Sequence, residues 1–228
     1  TLSSSSAASD VYKRQNQDGR SAVLTAPNGP AQEAVIRRAL QEAKMNALDV
    51  SCIVAHGTGT ALGDPIEAGA VKAVYGAGRH EERPLVVTSV KPNIGHLEAA
   101  AGIANIMTVV LCLRHGEAPG ILNLETLNPY IGTDGFAAVF PTGHTSLGWS
   151  DEGRLCIGTS SFGFGGTNAH AIFERTAVEN MEDMLSVKDI FDREAFPWRT
   201  PEHPMIQRQT NKEGSGGSVA ADCCELRG

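Results

Sequence analysis

Two histidines are the residues in this sequence best placed to do chemistry, each in a polar loop that follows a short apolar run. His56 stands in "AHGTGTALGDPIEAG", from Ala55, and His96 stands in "SVKPNIGHLEAAAG", from Ser89, with Lys91 five residues ahead of it. Ligand and catalytic groups of α/β folds gather at the carboxyl ends of strands, so the two imidazoles are expected to face one pocket. His96 opens an expected helix over 98–114, whose dipole disfavours imidazolium at its start. A neutral imidazole still donates one N–H. Two such donors meeting one oxygen would stabilise a developing enolate or oxyanion without a metal. Lys91 would add local positive charge or orient the site, with Glu98 as its nearest possible partner in sequence. A third stretch, "SSFGFGGTNAHAI" from Ser160, is glycine-rich. It has neither the GxGxxG nor the GxxxxGK[ST] spacing, so no nucleotide site is read from it. Taken singly, a histidine at a helix start is commonly a cap and a loop lysine commonly a solvated charge. The weight lies in the three stretches together and in this order.

The elements that must position these loops alternate between strand-like and helix-like patterns. "NGPAQEAVIRRALQEAKM" begins with Asn28-Gly29-Pro30, which suits a helix start. Val35, Ile36, Ala39, Leu40 and Ala43 then fall on one face. "VSCIVAH" and "PLVVTSV" read as buried strands. In "GDPIEAGAVKAVYG", Asp64 is placed to cap, Pro65 fits the first helical position, and Glu67 completes a capping box. Gly116 closes the 98–114 helix. "RLCIGTSSFGFGGTNAHAIFER" reads as two strands joined by a glycine-rich turn. Buried strands alternating with helices imply an α/β fold with a covered sheet.

Composition narrows the function classes. A net charge of −7 argues against nucleic acid as the main partner. Five cysteines (Cys52, Cys112, Cys156, Cys223 and Cys224) show no CxxC pair or Cys/His ligand spacing, so no zinc site is expected. The first three lie in apolar runs and read as buried free thiols, which fits a reducing, cytoplasmic setting. The most apolar run, Ala99 to Leu113, is too short to span a bilayer and is interrupted by Asn105. Residues 1–15 are serine-rich and aperiodic, and are expected to be a non-native or disordered leader. Residues 176–228 are polar, carry "NKEGSGGSVAAD" close to their end, and are expected to be a linker and a disordered tail.

"HGTGTALGDPIEAGA", "SVKPNIGHLEAAAGI" and "SSFGFGGTNAH" resemble the β-ketoacyl synthase (ketosynthase) family, most closely the ketosynthase domains of modular-type polyketide synthases. "NQDGRSAVLTAPNGPAQEAVIRRAL", from Asn16, is similar to the matching segment of those domains. The resemblance covers residues 16–175 and implies the C-terminal half of a thiolase-like fold, a five-layered α-β-α-β-α sandwich when complete. It implies a decarboxylative Claisen condensation of malonyl, carried on the phosphopantetheine of an acyl carrier protein, with an acyl thioester, in polyketide or fatty acid biosynthesis. By resemblance, His56 and His96 bind the malonyl thioester carbonyl and stabilise the enolate. Lys91 matches the family lysine, and Thr58 and Thr60 contact the pantetheine arm. Phe164 matches the gating phenylalanine, whose backbone N–H contributes to an oxyanion hole. The resemblance implies no cofactor or metal held by the domain itself.

The family nucleophile, a cysteine in a motif like "TACSSS" far upstream of the first histidine, has no counterpart here. "TLSSSSAA" holds no cysteine, and Cys52, Cys112 and Cys156 lack the motif's context. Three explanations stand: a fragment of a longer synthase, a half-protein that needs a partner chain, or a non-catalytic thiolase-like module that binds carrier protein or a partner subunit. The implied partners are an acyl carrier protein, the missing N-terminal half and, in the complete enzyme, a second copy. A half-fold is expected to expose the apolar face meant for the other half. Two smaller departures are Val54, where the family usually has Glu, and Pro92, where Ser is common.

Overall fold

The structure, a computed structural model, describes residues 10–19, 26–148, 150 and 153–176. They lie within one compact unit, Thr1–Glu182, and the second unit, Asp183–Gly228, falls outside them, as do Cys223 and Cys224. In chain order the elements are β1 (Asp10–Gln17), α1 (Gly29–Ala43), β2 (Val50–Val54), α2 (Gly63–Tyr75), β3 (Leu85–Thr88), α3 (Lys91–Ile94) and α4 (Ala101–His115). They continue with β4 (Glu117–Ala118), β5 (Ala138–Val139), β6 (Thr145–Ser146), β7 (Arg154–Phe162) and β8 (Thr167–Thr176). A six-stranded sheet runs in the order β1-β8-β7-β2-β3-β5, and β4 pairs separately with β6. Strands β7, β2, β3 and β5 are mutually parallel, while β8 and β1 are antiparallel to their neighbours.

Helices cover both faces of this sheet. The α1 stripe Val35, Ile36, Ala39 and Leu40 and the α2 stripe Ala70, Val71, Val74 and Tyr75 pack on Val50, Ile53, Leu85, Val87 and Ile172. On the other face, Val109, Cys112 and Leu113 of α4 pack on Cys52, Val54, Val86, Leu155, Ile157 and Phe173. Strand β2 is buried along its whole length because both of its faces are covered. The α/β fold class read from the sequence is the one observed. The first helix starts as expected: the Asn28 side chain accepts from Ala31 N–H at 3.1 Å, and Pro30 sits where its missing N–H costs nothing.

Three expectations need correction. Strand β1 pairs with β8 from Asp10↔Glu174 to Gln17↔Thr167, so the leader boundary drawn at residue 15 runs through a strand. The helix expected over 98–114 is a short 3₁₀ turn at Glu98–Ala100 followed by α4, closed at Gly116 with φ 71°. The capping box expected at Asp64 and Glu67 is not formed. No side chain caps α2 at Leu62, and both carboxylates turn back to N–H groups of the preceding loop, which has no strand partners to satisfy them. Cys52, Cys112 and Cys156 are buried free thiols, as their contexts implied.

One face of α4 is uncovered. Ile103, Met107 and Leu111 recur at intervals of one turn and are 56%, 62% and 53% exposed, although the opposite stripe is fully packed. This is the exposed apolar face anticipated for a half-fold.

Strand β7 has no room to spare where it crosses the core. A Cβ on Gly158 would lie 2.6 Å from Ile53 Cδ1 and 3.1 Å from His170 Nε2. Gly158→Ala is therefore expected to destabilise the fold by about 1–3 kcal/mol through overpacking. Urea denaturation tests this, and an unchanged midpoint would mean that β7 and β8 have slack.

Candidate functional site

Register places the site. Val54 pairs with Thr88 on one side and with Thr159 on the other, so β2 and β3 end level while β7 runs three residues further, to Phe162. Continuing each chain past its strand end delivers Lys91 and then His96 after β3, His56 after β2, and Phe162 at the end of β7. The two histidine rings meet edge to face, with centroids 5.9 Å apart and planes at 88°. The Phe162 ring stands 5.5 Å from His56.

Backbone donors fix both rings. Phe162 N–H donates to His56 Nδ1 at 3.3 Å, and Glu98 N–H donates to His96 Nδ1 at 3.0 Å. A neutral imidazole whose Nδ1 accepts carries its proton on Nε2. Both rings therefore keep an Nε2–H donor free for a ligand. The anticipated dipole effect on His96 is replaced by this local bond: α4 begins at Ala101, and a helix dipole fades within a turn. Glu98 adopts a left-handed φ of 47°, which belongs to the turn that brings its N–H back to His96.

The His56 peptide is held from three directions. Glu67, 5% exposed, accepts from His56 N–H at 2.7 Å with one oxygen and from Gly57 N–H at 2.9 Å with the other. The Lys91 ammonium donates to the His56 carbonyl and lies 3.5 Å from His56 Nδ1. Gly57 takes φ +46°, and a Cβ there would meet Ser89 Oγ at 2.7 Å, so only glycine fits this turn. Lys91 is thus buried and engaged with His56; the acids that favour its charge are Glu67 and Asp64 rather than the sequence neighbour Glu98.

Burial dominates the electrostatics. It lowers the His56 pKa to about 4, with Lys91 and His96 adding to the effect, so the ring is neutral at pH 7. Burial raises Glu67 to about 7 against the two N–H bonds that favour its charged form. Lys91 is lowered by burial, partly offset by Glu67 and Asp64. Asp64 is raised by burial and accepts from Gly59 N–H at 3.1 Å.

The remaining sequence-stretch residues line the same space. A cavity of about 390 Å³ is bordered by His56, His96, Thr58, Thr60, Phe162 and Phe164. Thr58 and Thr60 hydroxyls lie 3.4 Å apart, and Thr60 Oγ1 also accepts from Gly63 N–H at 3.0 Å, anchoring the start of α2. Phe164, at the tip of the β7–β8 turn, is 86% exposed. A second cavity of about 560 Å³ is bordered by Lys91, Asp64 and Glu67 and shares Thr58 and His96 with the first. The structure thus brings together His56, His96, Lys91, Thr58, Thr60 and Phe164. Two participants went unnoticed in the sequence. Glu67 was read as a helix cap although it shares the "GDPIEAG" stretch. Phe162 acts through its backbone N–H, which no residue type announces.

The profile described as "Beta-ketoacyl synthase, C-terminal domain" matches residues 11–125. The chain is 50% identical over 161 residues to polyketide synthase GfsB of Streptomyces halstedii, covering 70% of this chain and 3% of that protein. It is 52% identical over 159 residues to erythronolide synthase EryA3 of Saccharopolyspora erythraea, covering 70% of this chain and 5% of that one. Among solved structures, ketosynthase twelve of the bacillaene polyketide synthase of Bacillus amyloliquefaciens superposes with a TM-score of 0.66 at 39% identity, over 73% of this chain and 30% of the other. The ketosynthase from module 6 of the Bacillus subtilis 168 bacillaene synthase gives a TM-score of 0.66 at 32% identity, over 73% of this chain and 30% of the other.

The His56 ring gives the most direct check on this electrostatic picture. Nitrogen-detected NMR is expected to show it titrating near pH 4 and neutral above pH 6. Because its folded pKa lies below the unfolded value, the unfolded chain binds the extra proton between these limits. The contribution of His56 to stability is full above about pH 6.5 and is lost as pH falls toward 4. Lys91→Met removes a repelling charge and is expected to move the midpoint upward. A midpoint that stays put would show that Lys91 does not act on the ring.

Proposed function

This chain belongs to the β-ketoacyl synthase family, whose C-terminal domain it carries, and on that premise we propose that its histidine pair serves the decarboxylation half of a Claisen condensation. The observation that carries this reading is the pair of Nδ1-anchored imidazoles, which leaves two Nε2–H donors at the ends of neighbouring strands. In the proposed reaction a malonyl thioester, borne on the phosphopantetheine of an acyl carrier protein, places its thioester carbonyl oxygen between these donors. The bond between its carboxylate and C2 breaks, carbon dioxide leaves, and the electron pair forms an enolate whose oxygen is held by the two N–H groups. Donors already aimed at that oxygen need no reorganisation as charge develops. A neutral ring suits this role, because it donates without surrendering a proton to the enolate carbon. C2 of the enolate then attacks the acyl thioester carbonyl and expels the thiolate.

In this reading Lys91 and Glu67 keep the His56 peptide in place, and Thr58 and Thr60 hydroxyls bond the pantetheine amides. Phe164 gates the acyl side, and its N–H contributes to the second oxyanion hole. The acyl chain is carried by a cysteine in the family's other half. Burial raises the thiol pKa of Cys52, Cys112 and Cys156, opposite to what a nucleophile requires. The boundary after residue 175, with a linker and tail over 176–228, belongs to the same proposal.

The position of those three thiols also favours a second reading, in which the chain is a thiolase-like module that docks carrier protein without chemistry. Release of carbon dioxide from malonyl-pantetheine separates the two. In the complete enzyme, His56→Ala and His96→Ala are each expected to lower decarboxylation by about 10²–10³-fold, the usual effect of losing one oxyanion donor. Rates unaffected by both substitutions would remove the pair from the mechanism. Carrier-protein binding with no carbon dioxide release from the unaltered protein would favour the docking module.

A further inference from the structure

Asn105 sits on the packed stripe of α4, 1% exposed, with Ala104, Thr108 and Val109 around it. An amide in such a place costs free energy unless its polar atoms are paired. Its Nδ2 makes two bonds, to the Ala55 carbonyl at 3.3 Å and to the Ser160 carbonyl at 2.9 Å. These carbonyls belong to different chain segments. Ala55 immediately precedes His56 beyond the end of β2, and Ser160 precedes Phe162 by two residues in β7. Phe162 N–H is the donor to His56 Nδ1. One carboxamide thus ties the backbone that carries the His56 ring to the backbone that anchors it.

The other half of this tie is built from the opposite side of the sheet. Ser160 Oγ lies 3.0 Å from His170 Nδ1, and His170 Nε2 lies 3.1 Å from the Tyr75 hydroxyl on α2. Ser160 is therefore pinned by its side chain toward α2 and by its carbonyl toward α4. Holding α4 on the sheet does not require the amide. Val109, Cys112 and Leu113 supply apolar packing, and Arg175 bonds the carbonyls of Leu113 and Arg114. Asn105 Oδ1 has no hydrogen-bond partner among the described residues, so what the buried amide gains there comes from its two donor bonds to the Ala55 and Ser160 carbonyls. A buried amide whose bonds all go to the backbone around His56 breaks the apolar pattern of α4 at the site, where such local exceptions are expected to be functional.

We infer that Asn105 is a positioning residue: its two N–H donors fix the gap between the ends of β2 and β7, which keeps His56 Nδ1 against the Phe162 N–H and turns the Nε2–H toward the cavity. The inference rests on the proposed donor role of His56, but its consequence is a tautomer, which is read without catalysis. The experiment is imidazole ¹⁵N NMR at pH 7 on the full chain, comparing the unaltered protein with Asn105→Leu and Asn105→Ser. The unaltered His56 is expected in the Nε2–H form. Asn105→Leu is expected to shift its tautomer ratio about fivefold toward Nδ1–H, the effect of losing one ordinary hydrogen bond. His96, whose anchor is Glu98 N–H, is expected to keep its spectrum. Asn105→Ser, which keeps one donor, is expected to shift the ratio less. If Asn105→Leu folds and His56 keeps its ratio, Asn105 only bolts α4 to the sheet and the inference falls. If Asn105→Leu does not fold, an unshifted His56 in Asn105→Ser overturns it equally. An Nδ1–H tautomer in the unaltered chain would instead overturn the donor reading of the site, and the inference with it.

Discussion

The parallel pairing of β2 with β3 and β7 is the constraint on which the rest depends. Parallel strands point their carboxyl ends the same way, and the two registers bring the ends of β2 and β3 level and carry β7 past them to Phe162. Neither histidine could reach the other without this. A slip of one residue in β2 would also turn Val54 toward α1 and α2 and Ile53 toward α4, reversing the two apolar clusters. The packing of both sheet faces therefore guards the register, and the register guards the site. The stability of the core and the geometry of the chemistry are one requirement.

Level strand ends are coarse positioning, and buried polar groups supply the fine adjustment. Glu67 holds two successive N–H groups, Lys91 holds the carbonyl between them, and the Phe162 and Glu98 amides select the ring tautomers. Most of these restraints act through backbone atoms. That choice suits a site whose rings must stay neutral, because a carboxylate bonded directly to an imidazole would favour its charged form. Glu67 places its carboxyl on the amides behind His56 instead.

Much of the fold was legible in the sequence, for definite reasons. Strand β2 and the α1 stripe follow from short β-branched runs and a clean helical period, and Gly116 ends α4 where a left-handed residue is needed. His56, His96 and Lys91 were legible because residue type and loop position coincide. Other features were hidden by degeneracy. An acid three residues after Asp64 looks the same whether it turns to its own helix or to the loop before it, and only the unpaired amides of His56 and Gly57 decide. Backbone donors such as Phe162 N–H leave no mark in a sequence. Strand β1 lay within a segment whose serine-rich start suggested no structure, yet its residues meet the otherwise bare edge of β8. The run from Ala99 to Leu113 is apolar throughout most of its length, and an apolar helix does not reveal how many of its faces are covered.

That last ambiguity has a thermodynamic consequence. More than half of the Ile103, Met107 and Leu111 stripe is already in water in the folded chain. It adds less than a buried stripe would to the heat capacity of unfolding and to the denaturant sensitivity, both of which measure newly exposed surface. The dome of stability against temperature is correspondingly flatter than the apolar content of α4 would suggest. A partner that covered the stripe would steepen that dome, and a calorimeter would read the covering as gained surface.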